Sequence, residues 1–169
     1  MFNINDAVVY ASYGVCMITS VETRDFSGED VEYYVLQPVD DDKNKFYVPV
    51  ENSELQKKMR RVCTRQEVEE IISVMPDEDF IWTEDDSERK EVYRNIISEG
   101  DRHKLVMLIK TLYIHRRELS GQKRKLHSHD EKYLNEAENM LYDEFAYVLE
   151  IPRSDVVDYI KKAIRDKNK

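Results

Sequence analysis

The chain is poor in the residues that break regular structure and in those that build reactive centres. It has four Gly and four Pro among 169 residues. So few glycines leave no Gly-rich loop to cradle a phosphate, and no Gly-x-Ser-x-Gly turn presents a serine nucleophile. The two cysteines, Cys16 and Cys63, fit no metal or redox spacing. That suits a reducing cytosol better than a disulfide-stapled secreted domain. The histidines, His103, His115, His127 and His129, match no zinc pattern, so neither a metal nor another cofactor is expected. No apolar run approaches the ~18 residues that a membrane span needs. Met1 to Asp6 lacks the basic and apolar regions of a leader, so no signal peptide is expected. Positive charge is also in short supply. Lys and Arg number 26 against 35 Asp and Glu, net −9, which argues against non-specific coating of nucleic acid.

What is present is charged and amphipathic. The chain is 36% charged and 41% hydrophobic, a composition of helix-rich globular proteins rather than of disordered ones. Charge is unevenly placed. Residues 1–57 carry 11 acidic and 4 basic side chains, whereas 102–132 carries nine basic side chains against Glu118, Asp130 and Glu131. Any polyanion contact is therefore expected in 102–132.

Two periodicities divide the chain. Before residue 50, short β-rich runs recur at intervals of about ten residues with turn residues between them. These runs are Ala7-Val8-Val9-Tyr10, Val15 to Arg24, Glu32 to Leu36 and Lys45 to Val50. Ser12-Tyr13-Gly14, Ser27-Gly28-Glu29-Asp30 and Asp40 to Asn44 supply the turns. Four such strands predict a small antiparallel barrel. After Pro49 the period becomes helical. Thr64 and Glu67 fit a capping box ahead of Val68, Ile71, Ile72 and Met75. Asp86 or Ser87 is placed to cap a helix with Val92, Tyr93, Ile96 and Ile97 inward, closed by Gly100. Asp101 opens a helix striped by Leu105, Leu108, Ile109 and Leu112 and broken at Ser120-Gly121. Ser128 and Glu131 read as a second capping box, before Leu134, Ala137, Leu141, Phe145 and Val148. A last helix carries Val156, Val157, Ile160 and Ile164. The reading is α+β in two domains: a β-barrel over 1–57 and an all-α helical bundle over 58–169.

Trp82 is the only tryptophan and lies in Phe80-Ile81-Trp82, flanked by Asp77, Glu78, Asp79, Glu84, Asp85 and Asp86. Either the ring pins this segment to a core, the ordinary fate of tryptophan, or it is a wedge for something outside the chain. In the second case Phe80 and Ile81 seat the segment and Trp82 points away. A wedge between base steps needs phosphate contacts nearby. Arg89, Lys90 and Arg94 are the nearest cations, and Lys90 and Arg94 share a helix face. The alternative for them is a salt-bridged face with Asp86, Glu88 and Glu91. Around the Ser120-Gly121 break, Arg116, Arg117, Lys123, Arg124 and Lys125 form a loop-borne cluster suited to phosphate contact or simply to solvation. On the predicted sheet, Arg24 is either a rim ion pair with Glu22 or Asp25 or a partner contact, with Tyr33 and Tyr47 as an adjacent aromatic surface beside an edge strand open to augmentation. Alternation places Tyr33 and Tyr34 on opposite faces.

Taken in order, Asp6 to Tyr10 with Gly14, Glu22-Thr23-Arg24, Tyr33 to Leu36 and Val48 to Asn52 resemble the N-terminal module of CarD/CdnL-type bacterial transcription regulators. Trp82, Arg89, Tyr93, Gly100-Asp101, Leu112-Tyr113 and Ser128 to Glu131 continue that order, and Ala137 to Leu149 followed by Ile151-Pro152 looks like the Firmicute branch. The resemblance implies a Tudor/SH3-like module that adds a strand to the β subunit of RNA polymerase. It also implies a helical module on promoter DNA, whose tryptophan wedges into the minor groove at the upstream bubble edge and slows bubble collapse. Arg24 then matches a polymerase-contacting arginine, and Tyr47 stands where some members have a second basic contact. The expectation is a cytoplasmic, monomeric, non-enzymatic regulator. A protein-only adaptor without DNA contact is the alternative. A metal-dependent hydrolase built on His129, Asp130 and Glu131 is a third and weaker one.

Overall fold

The computed structural model describes residues 2–26 and 28–167; Met1, Ser27, Asn168 and Lys169 lie outside them. The chain divides into two compact units, Met1–Val62 and Cys63–Lys169.

The first unit is a five-stranded antiparallel sheet. Its strands are β1 (Ala7–Tyr10), β2 (Val15–Asp25), β3 (Asp30–Pro38), β4 (Phe46–Pro49) and β5 (Met59–Arg61), in the order β4-β3-β2-β1-β5. A single-turn helix, α1 (Ser53–Gln56), precedes β5, with the Asn52 side chain accepting from the Leu55 amide. Alternation works as period two requires: Val8, Cys16, Ile18, Tyr34, Leu36, Val48 and Met59 form one buried face. Tyr34 is buried while Tyr33 is only half-buried. Gly14, at φ +81°, makes the reversal from β1 to β2, a conformation that a Cβ would strain. The expected turn at Ser27 to Asp30 includes Ser27, outside the described residues. Gly28 at its centre is held by the Asp25 carboxylate, which accepts from the Gly28 amide at 2.6 Å.

Two expectations are corrected here. The sheet is not closed into a barrel: among the described residues its outer strands β4 and β5 do not pair with each other. The unit also runs past residue 57, because Met59–Arg61 pairs antiparallel with β1 in the register Val9↔Arg60. Burial on this sheet reaches the Cys16 thiol, whose pKa rises to about 11, so it stays protonated and unreactive at neutral pH.

The second unit is helical: α2 (Arg65–Val74), α3 (Asp86–Glu99), α4 (Arg102–Gly121), α5 (Ser128–Leu149) and α6 (Val156–Lys167). The Thr64 capping box forms as expected. Thr64 Oγ1 accepts from the Glu67 amide at 3.2 Å, and Glu67 Oε2 accepts from the Thr64 amide at 2.6 Å, which holds the Glu67 carboxyl below its usual range. Asp85, rather than Asp86 or Ser87, caps α3, and Gly100 ends it at φ +64° in the left-handed region. Asp101 caps α4. The second capping box is absent. α5 begins after His127 with no side-chain cap, which puts Ser128 inside the helix rather than at its cap.

The core of this unit is built on α5, whose Leu134, Ala137, Met140, Leu141, Phe145 and Leu149 pack with the buried faces of α2, α3 and α4. Two carboxylates lie fully buried on the same helix, Asp130 and Glu144, each 0% exposed. Glu144 Oε1 accepts from the Cys63 amide at 2.8 Å and from Arg102 Nη2 at 2.6 Å. One side chain thus joins the segment entering α2, the first turn of α4 and the C-terminal third of α5. Removing one member of a buried pair leaves the other desolvated without compensation. Glu144→Ala is therefore expected to destabilise the helical unit by roughly 3–5 kcal/mol, read as a fall in the urea midpoint of the helical circular dichroism signal.

Candidate functional site

On the sheet, the face opposite the buried one carries the sequence candidates. Direct pairing of Glu22 with Tyr33, of Tyr33 with Pro49 and of Val35 with Tyr47 puts Glu22, Arg24, Tyr33 and Tyr47 on one side. Arg24 is exposed, donates from Nε to Glu22 Oε2 at 2.9 Å, and lies over the Tyr47 ring at 5.6 Å. The guanidinium holds the Glu22 carboxyl below its usual range, and Glu22 in turn raises the pKa of Arg24. Phe26, 62% exposed, completes the surface. Its ring meets Tyr33 edge-on at 5.2 Å and Tyr47 at 5.7 Å. Sequence reading missed Phe26. The signal was available, since Phe26 stands two positions after Arg24, one residue past the end of β2, where continued alternation carries it to the same face.

The backbone beside this face is open in two places. β4 is an outer strand, and β1 covers β2 only at Val15 to Met17. From Ser20 to Asp25, β2 therefore has β3 on one side and, among the described residues, no strand on the other. Unpaired edges of this kind are templates for an added strand.

In the helical unit, the segment before α3 is laid onto α4. Lys110 Nζ donates to the Pro76 and Glu78 carbonyls, each at 2.6 Å. The Ile81 amide donates to the buried Thr111 hydroxyl at 3.1 Å. Of the triplet, Ile81 seats the segment as the wedge arrangement has it, but Phe80 is 57% exposed and Trp82 is half-buried and packs against the core, as in the alternative in which the ring pins the segment. The physical reason is the set of partners that the Trp82 ring finds. The His115 ring lies 3.9 Å away between centroids, and the Arg89 guanidinium sits 4.5 Å from the indole centroid. The indole Nε1 donates to Glu84 Oε1 at 2.9 Å. What remains open of the ring lines a concavity of about 370 Å³ with Phe80, Glu84, Thr111, Ile114, His115 and Glu118.

Arg89 is not a phosphate contact. It is 3% exposed. Its Nε donates to Asp130 Oδ1 at 3.3 Å, Nη2 to Asp86 Oδ1 at 2.6 Å and Nη1 to the Thr83 carbonyl at 2.9 Å. His129 Nε2 lies 2.9 Å from Asp86 Oδ1. Lys90 pairs with Asp86 at 2.6 Å and, as the leading cause, holds that carboxyl below its usual range. Arg94 is exposed. Arg116 is half-exposed, lies over the Tyr113 ring at 5.4 Å and stands 3.6 Å from Glu131. Arg117, Lys123, Arg124 and Lys125 are exposed around the end of α4 and form no ion pair among the described residues. The structure thus brings Trp82 and Arg89 together and leaves the 116–125 cluster on the open end of α4. His115, Glu84 and Asp130 are additions to the tryptophan environment that spacing alone did not reveal.

An open-edged sheet with an arginine–aromatic face and a helical unit with a basic helix end are binding features. Two family models match them. The CarD-like/TRCF RID domain matches residues 2–63, and the CarD C-terminal domain matches residues 70–161. The chain belongs to the CarD-like family, which comprises transcription regulators that interact with RNA polymerase.

The Arg89 contacts generate a direct expectation. Arg89→Leu leaves the Asp130 carboxylate buried without its guanidinium and should cost roughly 3–5 kcal/mol. Because Trp82 is the sole tryptophan, the same variant should change its emission in the folded protein at low denaturant. Arg89→Lys, which keeps the charge but not the planar fork, should fall between the two.

Proposed function

We propose that this protein binds the β subunit of RNA polymerase through residues 2–62 and promoter DNA through its helical unit, and that it stabilises the open complex by minor-groove contact at the upstream edge of the bubble. The observation that carries the reading is the pairing of the two matched modules with two separate docking features. On the sheet, the features are the open edges beside Arg24, Tyr33, Tyr47 and Phe26. Main-chain hydrogen bonds to an added strand supply affinity, and the adjoining side chains supply selectivity. On the helices, Arg117, Lys123, Arg124 and Lys125, with Arg94, Arg116 and Lys90, are the side chains offered to phosphates, while Trp82 is the wedge. Arg89 serves Trp82 rather than DNA. A protein with this role works in the cytoplasm and reaches DNA by way of polymerase, which suits a chain of net charge −9 that grips DNA poorly alone.

A specific observation favours a second reading, a protein-only adaptor. Trp82 is half-buried and opens onto a concavity edged by Glu84 and Glu118, an environment that repels phosphate. Salt separates the two. If the four exposed cations at 117 and 123–125 each neutralise one phosphate, the affinity of the polymerase-bound protein for promoter DNA should fall with a log–log salt slope of about −3 to −4. An adaptor gives a slope near zero.

Two substitutions test the division of labour in the full chain, which is required because a fragment ending at residue 57 lacks β5. Arg24→Glu should abolish retention by immobilised polymerase while leaving the circular dichroism spectrum unchanged. Trp82→Ala should leave polymerase binding intact and shorten the open-complex lifetime, on the order of tenfold for a lost wedge. An unchanged lifetime assigns Trp82 to the core.

A further inference from the structure

A wedge must present its ring, yet the Trp82 ring is engaged on several sides. The engaging groups are not alike. Arg89 is buried and fixed by Asp130, Asp86 and the Thr83 carbonyl. His115 is held on α4, a helix of 20 residues. Glu84 differs from both: it is exposed, and it sits in the non-helical stretch just ahead of the α3 cap residue Asp85. It takes the one polar atom of the indole, the Nε1 donor. That donor is also what a ring entering the minor groove would offer to the acceptors there, N3 of adenine and O2 of thymine.

We propose that Glu84 is an anionic latch on Trp82. In the protein off DNA the carboxylate occupies the indole N–H and keeps the ring against α4. Near the phosphate backbone the same carboxylate is repelled, and the indole N–H it releases becomes available to the groove. The ring's other two partners stay, so Trp82 turns out from a fixed seat. Wedging is thereby coupled to the presence of a polyanion, and free protein does not expose an unpartnered tryptophan. This inference rests on the wedge reading given above and adds to it a residue that restrains the wedge.

The latch makes a prediction that bulk electrostatics does not. Glu84→Gln removes the charge but keeps a side-chain carbonyl able to accept from the indole. Glu84→Ala removes both. Asp79→Asn makes the same charge change as Glu84→Gln, in the same acidic run, at a residue that does not line the concavity beside the indole. Open-complex lifetime on polymerase should lengthen about threefold or more for Glu84→Ala, as loss of one charged acceptor allows. Glu84→Gln should lengthen it less, and Asp79→Asn should match Glu84→Gln or fall below it. In the protein alone, Trp82 emission should shift to the red and become about twice as accessible to acrylamide in Glu84→Ala, with Glu84→Gln near the native protein. Equal lifetimes for Glu84→Ala, Glu84→Gln and Asp79→Asn overturn the latch in favour of general charge. A shortened lifetime in Glu84→Ala also overturns it, making Glu84 a support for the ring. Unchanged acrylamide access in Glu84→Ala overturns it whatever the lifetimes. Trp82→Ala in parallel separates this from the parent reading. If that variant leaves the lifetime unaltered, the wedge fails, and the acrylamide comparison still decides whether Glu84 holds the indole.

Discussion

Two carboxylates buried on one helix organise the helical unit. Asp130 and Glu144 both lie on α5 and both are fully enclosed. An isolated charge in such a place is very costly, so each must be met by a cation or by hydrogen-bond donors. Asp130 meets Arg89 of α3, and Glu144 meets Arg102 of α4 together with the Cys63 amide. Apolar packing among Leu105, Leu112, Leu134 and Leu141 would tolerate some sliding of one helix on another. A guanidinium that must reach a particular buried carboxylate does not. The pairs therefore act on register more than on total stability, since well-packed apolar groups often replace such pairs without loss. The tryptophan site follows from this arrangement: Arg89 stands over the indole because Asp130 holds it there.

How much of this was legible in the sequence depends on how far apart the partners stand. Features closed within one helical turn read correctly, such as the Thr64–Glu67 capping box, the Gly100 terminus and the Asp101 cap. The alternation that separated Tyr33 from Tyr34 also held. Features that depend on a distant partner did not. Arg89 looked like a phosphate contact because its neighbours are charged, but its deciding partner is 41 residues away. Ser128 to Glu131 has the composition of a capping box, yet the helix starts one residue earlier, after His127, and no side chain caps it. Met59–Arg61 carries no strand signature in its own three residues; it is a strand because β1 has a free edge about 50 residues earlier. The sequence left open whether Trp82 packs or points away, because His115 and Arg89, which seat the ring, and Thr111, which holds the Ile81 amide, come from two other stretches of chain.

The charge pattern complements this account. Acid is dense in the run around Trp82, while cations gather at the end of α4. A chain so divided offers a polyanion little overall attraction, and a cluster of cations at that helix end. Under the proposed function, contact with DNA depends on being carried there by polymerase, and the acidic run around the indole would set a second condition at short range.

The open flank of β2 bears on how such a protein and its partner change over time. From Ser20 to Asp25 the strand offers only backbone groups along its free edge, with Arg24 standing to one face. A strand laid there would be held mainly by its own amides and carbonyls, which every residue other than proline possesses in full. Side chains pointing to the far face would go unread, and a slip of one residue would exchange the two faces entirely. Drift in such a partner would then be tolerated at every second position and opposed at the positions between, where Arg24 would meet it. The mark of long association would be an alternation in what is allowed to vary, visible in the partner's sequence rather than in this one.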